Sequence, residues 1–244
     1  MKLLPHIKQG NVLHFLRSPT MSVTVMENQH YRWLTFDNTV QSIMLKRIPN
    51  KLPLPHQIAL CLPLLWYSPQ QVVELGLGGG NLLRFIQQVN RHSQLISVEP
   101  ESEVIKIFQQ FFNPNSCDVT LVNNTAQHFL HSATMKTSDW LICDVYPDIT
   151  ALTEVLAILP YNAQLKVISI NIPNFPEEKI EQVLAQLAQW KDSYHIRYFE
   201  VPHYTNIIIH LVVKSLNISA VIKSNLPHYQ QKRWQQLWQY GKQL

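Results

Sequence analysis

The chain has 244 residues, 46% of them hydrophobic and 15% charged, with a formal net charge of +4 at pH 7. That length suits one ordinary domain with a small appendage, and that hydrophobic content is enough for a sizeable core, which excludes disorder as the default. Residues 1–51 carry 7 Lys and Arg against 2 Asp and Glu, residues 52–222 carry 9 against 14, and residues 223–244 carry 4 against none. An acidic central body argues against a nucleic-acid groove across it. The first ten residues, MKLLPHIKQG, have no signal-peptide pattern, and no run approaches the roughly 18 apolar residues of a membrane helix. Cys61, Cys117 and Cys143 are scattered and odd in number, so neither a disulfide framework nor a zinc pattern follows, and a reducing cytoplasm is the expected compartment.

In chain order, SVTVME (22–27) and YRWLTF (31–36) read as a hairpin around NQH, with TVQSIMLKR (39–47) as a third strand. The proline-rich PNKLPLPH follows, then QIALCLPLLW, a helix with a proline inside it. From there strands and helices alternate. QVVELG, QLISVEP, VTLVNN, DWLICDVYP and QLKVISINI read as strands. NLLRFIQQVN, SEVIKIFQQFF, AQHFLHSA, TALTEVLAILP and PEEKIEQVLAQLAQW read as helices. YHIRYFEVP and TNIIIHLVVKS close the run as an antiparallel strand pair. This alternation predicts an α/β, Rossmann-like fold with a mostly parallel sheet covered on both faces. Three segments result: a small N-terminal β region (1–52), a nucleoside-binding domain (53–222) and a basic helical tail (223–244). Trp234 and Trp238, four apart in the tail, share one face, suited either to docking on the chain's own body or to a partner or homodimer contact.

The most informative stretch is VVELGLGGGNLLRFI. Of the chain's 6 Gly, Gly76, Gly78, Gly79 and Gly80 fall within it, after a strand and before a helix. Glycines there permit a tight turn and let a ligand lie against the backbone, beside the free N–H groups of the helix start. The dinucleotide pattern G-x-G-x-x-G fails at Asn81, and the G-K-[ST] ending of a phosphate-binding loop is missing. The Glu74-x-Gly76-x-Gly78-x-Gly80 turn fits a site for an S-adenosylmethionine-type nucleoside. Glu99 ends the next strand, where an acid can accept hydrogen bonds from both ribose hydroxyls. Glu74, in the same turn, is placed to fix the loop or the ligand's charged end. No histidine spacing such as HExxH points to a metal.

ELGLGGGNLLRFI, ISVEPESEVIKIFQQFF, LVNNTAQHFL and DWLICDVYPD occur in the order and spacing of the spermidine synthase family, which this chain resembles over roughly residues 22–214. The resemblance implies a class I methyltransferase fold with a small N-terminal β domain. It also implies aminopropyl transfer from decarboxylated S-adenosylmethionine to a small-molecule amine. Residue by residue, it assigns the glycine turn and Glu99 to the nucleoside, with Asn81, Asn124 and Thr125 on its path. Asp144 and Tyr146 fall to the chemistry, and Gln41 and His56 to the amine; Asn171 matches an Asn often found after the fifth strand. The chain departs from the family where Asn81 replaces the Asp after the glycines and Asn124-Thr125-Ala126 replaces Gly-Asp-Ala. Likewise Pro55-His56-Gln57 replaces Tyr-His-Glu, and Pro147 stands at the second loop acid. A dicationic amine needs carboxylate partners when buried, so these losses bear on the acceptor more than on the fold. Two rival readings remain: a methyltransferase using S-adenosylmethionine itself, and a non-catalytic protein that keeps the fold.

Overall fold

The computed structural model describes residues 7, 9–18, 21–37, 39–132, 135, 137–145, 149–159, 165–173, 175–218 and 226–244. The chain begins with a four-stranded antiparallel sheet in sequential order, β1 (Asn11–Arg17), β2 (Ser22–Glu27), β3 (Tyr31–Phe36) and β4 (Thr39–Leu45). The expected hairpin and third strand are all present. β1 was not anticipated: its residues are largely exposed on both faces, Val12 and Phe15 at 60% each, so it lacks the one-sided alternation by which strands are read.

The proline in QIALCLPLLW does break the expected helix, leaving α1 (Pro55–Leu60) followed by a 3-10 turn over Leu62–Leu65. Strands β5 (Gln71–Leu75), β6 (Gln94–Glu99), β7 (Thr120–Asn123), β8 (Trp140–Cys143) and β9 (Val167–Ile172) then alternate with helices. These are α2 (Asn81–Val89), α3 (Ser102–Ile107), α4 (Ala126–Leu130) and α5 (Ile149–Ile158). After α6 (Glu177–Ala188) come β10 (Tyr194–Glu200) and β11 (Ile207–Val213), paired antiparallel as expected. The chain ends in α7 (His228–Gln239) and the short β12 (Lys242–Gln243). The second sheet has eight strands in the order β12-β10-β11-β9-β8-β5-β6-β7. Its β5 to β9 neighbours are parallel, and β11 and β10 close it antiparallel.

Successive residues of the central strands feed two apolar layers, as strand alternation requires. Val72, Trp140, Ile142 and Val167 face the layer built by α2, the 3-10 turn and Trp234 of α7. Val73, Leu75, Leu141 and Ile168 face the layer of α4, α5 and α6. Val23, Val25, Leu34 and Met44 of the first sheet belong to the former layer, which ties the two sheets together.

Both tryptophans of the tail face the chain itself. Trp234 lies 5.5 Å from Phe85, and Trp238 lies 5.5 Å from Trp66 and from Phe199, with the Arg197 guanidinium 4.9 Å above it. Behind the sheet, His210 is fully buried. Its Nε2 meets the Ala59 carbonyl at 3.0 Å, so that nitrogen carries the proton, and Nδ1 accepts from the Ser169 hydroxyl at 2.9 Å. Trp140 Nε1 donates to the same hydroxyl at 2.9 Å. This relay pins α1 to β9 and β11.

Candidate active site

The winding of the sheet reverses between β5 and its neighbours β6 and β8, which opens a crevice at their carboxyl ends. The glycine turn follows β5, Glu99 ends β6 and Asp144 follows β8, so all three lie there.

The turn answers why glycine recurs. A Cβ at Gly76 (φ +92°) would stand 2.4 Å from the Asp144 carbonyl oxygen, at Gly79 2.4 Å from the Ser42 hydroxyl, and at Gly80 (φ +61°) 2.2 Å from the Phe108 ring. Those three glycines make room for the protein's own neighbouring segments. Only at Gly78 (φ +49°) would a Cβ meet nothing within 4 Å. Packing thus accounts for the missing side chains at Gly76, Gly79 and Gly80, while Gly78 borders open space.

A residue that sequence reasoning overlooked organises the turn. Arg84 is 1% exposed. Its Nη1 donates to the carbonyls of Gly79 and Phe112, Nη2 to Asn81 Oδ1, and Nε to the Pro49 carbonyl at 3.0 Å. Burial lowers its pKa to about 10, so it remains a cation at neutral pH. The anticipated helix over SEVIKIFQQFF widens into a π turn at Phe108–Phe112. The Phe111 carbonyl accepts from Arg32 at 2.6 Å and the Phe112 carbonyl from Arg84, so two guanidiniums take up this segment's carbonyls. The signal available beforehand was a lone cation inside the apolar run Leu82, Leu83, Phe85, Ile86.

Asn81 is 4% exposed, and its amide donates to the Ile43 carbonyl at 2.9 Å and to Gln57 Oε1 at 3.3 Å. Its side chain thus joins α2 to β4 and α1. Glu99 is 8% exposed; its Oε2 accepts from the Leu77 amide and its Oε1 from the Glu101 amide, both at 3.1 Å. Burial pushes its carboxyl up, and the amides of Glu101, Leu77 and Gly78 pull it partly back. Asn124 accepts from the Thr125 amide through its side chain at 2.9 Å, and Thr125 caps α4 through His128 N at 3.3 Å. Asn123, not singled out beforehand, donates to the carbonyls of Glu99 and Pro100 and fixes the strand end that carries the acid.

Glu74 is buried at 2%, where burial first and the nearby Asp144 second push its carboxyl well above the carboxylate range. Asp144 Oδ1 accepts from Asn171 Nδ2 at 2.7 Å, and Asn171 Oδ1 accepts from Asn206 Nδ2 at 2.9 Å. Asn206 had no signal in the sequence. His56 lies in edge-to-face contact with Tyr204, ring centroids 6.2 Å apart, and near enough to Asp144 to feel its charge. Burial nevertheless lowers the His56 pKa, which keeps the ring neutral at pH 7. Among the described residues, His56 Nδ1 and Gln41 Nε2 are buried without a hydrogen-bond partner. Tyr146, Pro147 and Asp148 lie outside the described residues. No three His, Cys, Asp or Glu side chains gather as a metal ion would need, and no helix is long and apolar enough to cross a membrane, among the described residues.

No family model matches the chain, and no curated protein matches it. Solved structures do match. Spermidine synthase from Thermotoga maritima aligns over 92% of this chain and 88% of its own at 15% identity and TM-score 0.65. A spermidine synthase in complex with the transition-state analogue AdoDATO aligns over 92% and 88% at 15% identity and TM-score 0.66. Human methyltransferase-like protein 13, in complex with SAH, aligns over 76% and 91% at 17% identity and TM-score 0.53. Together with the strand order, these likenesses establish a Rossmann-like class I methyltransferase fold carrying a separate antiparallel sheet.

Proposed function

We propose that the chain is a transferase that takes an S-adenosylmethionine-type nucleoside as co-substrate, and specifically a spermidine synthase-like aminopropyltransferase acting on a small amine. The observation that carries this reading is the Glu99 carboxylate, held by backbone amides beside the open face of Gly78, with Asp144 following the adjoining strand. A ribose diol hydrogen-bonded to Glu99 would lie against Gly78. The likeness to a spermidine synthase in complex with a transition-state analogue supports the same use of the crevice.

In the proposed step an amine nitrogen attacks the methylene next to the sulfonium. The carbon–sulfur bond breaks, its electron pair stays on sulfur, and methylthioadenosine leaves. The amine proton passes to Asp144, whose Oδ1 is held by Asn171 so that Oδ2 can face the acceptor. Neutral His56 adds a second base, a ring nitrogen, on the acceptor side, and Gln41 a free amide donor. Tyr146, two residues after Asp144 in the sequence, keeps the role that the resemblance assigns it. Positioning of the two reactants supplies much of the rate.

Methyl transfer from S-adenosylmethionine is the second reading, and Asn81 favours it. The position after the glycines bears an amide already bonded within the protein, so no carboxylate there repels the methionine carboxylate. Thermal stabilisation by methylthioadenosine and by S-adenosylhomocysteine separates the two. Saturation at about 100 times the dissociation constant adds roughly 2.7 kcal/mol. Preference for methylthioadenosine is expected; preference for S-adenosylhomocysteine moves the assignment to methyl transfer. No shift with either, or an undiminished shift in Glu99→Ala, removes the nucleoside site.

A further inference from the structure

Along α2 lies a cavity of about 320 Å³ with no role in the reaction proposed above. Arg84, Gln87 and Gln88 line it from one face of α2, Arg91 from the turn just after the helix, and Asn50 and Asn115 complete the wall. Asn115 Nδ2 donates to Asn50 Oδ1 at 3.3 Å, which bridges that wall. The lining thus holds two guanidiniums, four carboxamides and no carboxylate. All four hydrogen-bonding partners of Arg84 are neutral, so its buried charge is uncompensated by direct contact. Asp118 follows the lining residue Cys117 and is exposed; its backbone carbonyl, at 3.4 Å, accepts from Gln87 Nε2.

We propose that this cavity is a binding site for a small phosphate-bearing anion, held by Arg91 and the carboxamides above the Arg84 guanidinium. Guanidinium and amide N–H groups match phosphate oxygens, and a buried cation without a carboxylate partner favours an anion over water. The cavity has room for more than one phosphate group, so both the free ion and a phosphomonoester fit the same chemistry. Arg84 also holds the Gly79 carbonyl, which places an occupant one side chain from the glycine turn.

Inorganic phosphate and ribose 5-phosphate serve as probes, each titrated into the full chain at constant ionic strength against chloride, with the unfolding midpoint as readout. Both should raise the midpoint where chloride does not, and the tighter of the two identifies the physiological form. Arg91→Gln, at an exposed position, should weaken binding roughly fivefold. Gln88→Glu, which puts a carboxylate into the mouth, should abolish the response while leaving the ligand-free midpoint near that of the parent. Nucleoside binding in both variants should stay unchanged, which separates this site from the crevice. The absence of a phosphate response beyond chloride overturns the proposal, as does an equal response in all three proteins.

Discussion

The two ends of the crevice are held in different ways. At the proposed nucleoside end, backbone groups do the holding: Glu99 takes amides of Leu77 and Glu101, and one buried cation, Arg84, gathers the carbonyls that fix the glycine turn. Neutral side chains form relays at the proposed acceptor end, where Asn206 and Asn171 hold Asp144, and His210 anchors the helix that starts beside His56. Backbone amides present the same donors whatever their own side chains, so at that end the side chains at stake are Glu99 and Arg84. A side-chain relay depends on each member, which is where a change of acceptor would be written. The family departures read from the sequence fall on both sides of this divide. At Asn81, where the family that the chain resembles carries an acid, the side-chain amide is bonded inside the protein.

Arg84→Met gives the sharpest test of the first half. It strands carbonyls of Gly79, Phe112 and Pro49 at about 1 kcal/mol or more each, so a loss of about 4 kcal/mol is expected in urea unfolding. A loss under about 1 kcal/mol would mean that the turn stands without its cation.

The acceptor-side relay is open to acid. Burial sets the His210 pKa at about 3, below the ordinary value of 6.5. Its neutral form contributes stability that is complete above pH 6.5 and is lost as pH falls from there toward 3, at up to about 1.4 kcal/mol per pH unit. Wild-type stability should therefore fall more steeply than that of His210→Gln between pH 6 and 4. Parallel curves would show that His210 does not titrate against folding.

Two glycines separate packing from ligand access. Gly76→Ala drives a methyl group into the Asp144 carbonyl and should cost about 3 kcal/mol. Gly78→Ala meets only the left-handed backbone cost, about 1 kcal/mol, yet should weaken methylthioadenosine binding. Equal stability losses would erase the distinction between them; intact binding in Gly78→Ala would show that no ligand lies there.

The smallest effect is expected from Asn206→Ala, about 1 kcal/mol in stability. Nucleoside binding should be unchanged, while turnover with an accepted amine falls through kcat, because Asn171 is freed to rotate away from Asp144. An unchanged kcat would take Asn206 out of the relay.

Much of this molecule was legible beforehand. The apolar strands from β5 to β9 carry their signal in short β-branched runs, and the Glu74-to-Gly80 turn and Glu99 lie at fixed offsets from strand ends. Reading failed where residues lacked a one-sided environment. β1 is largely exposed on both faces, and the π turn at Phe108–Phe112 has its carbonyls taken up by guanidiniums 79 and 28 residues distant in sequence: Arg32 on Phe111 and Arg84 on Phe112.

By itself, the sequence determined the alternation of strand and helix, the closing antiparallel pair and the position of the glycine turn. Each of these is a local pattern of side-chain period or backbone freedom, complete within a few residues. Only the tertiary structure decided why the glycines are there, that Arg84 is a buried hub, and that Asn206 reaches Asp144 through Asn171. Those facts join segments distant in sequence, and no local pattern records which distant carbonyl or amide a side chain will meet once the sheets have packed.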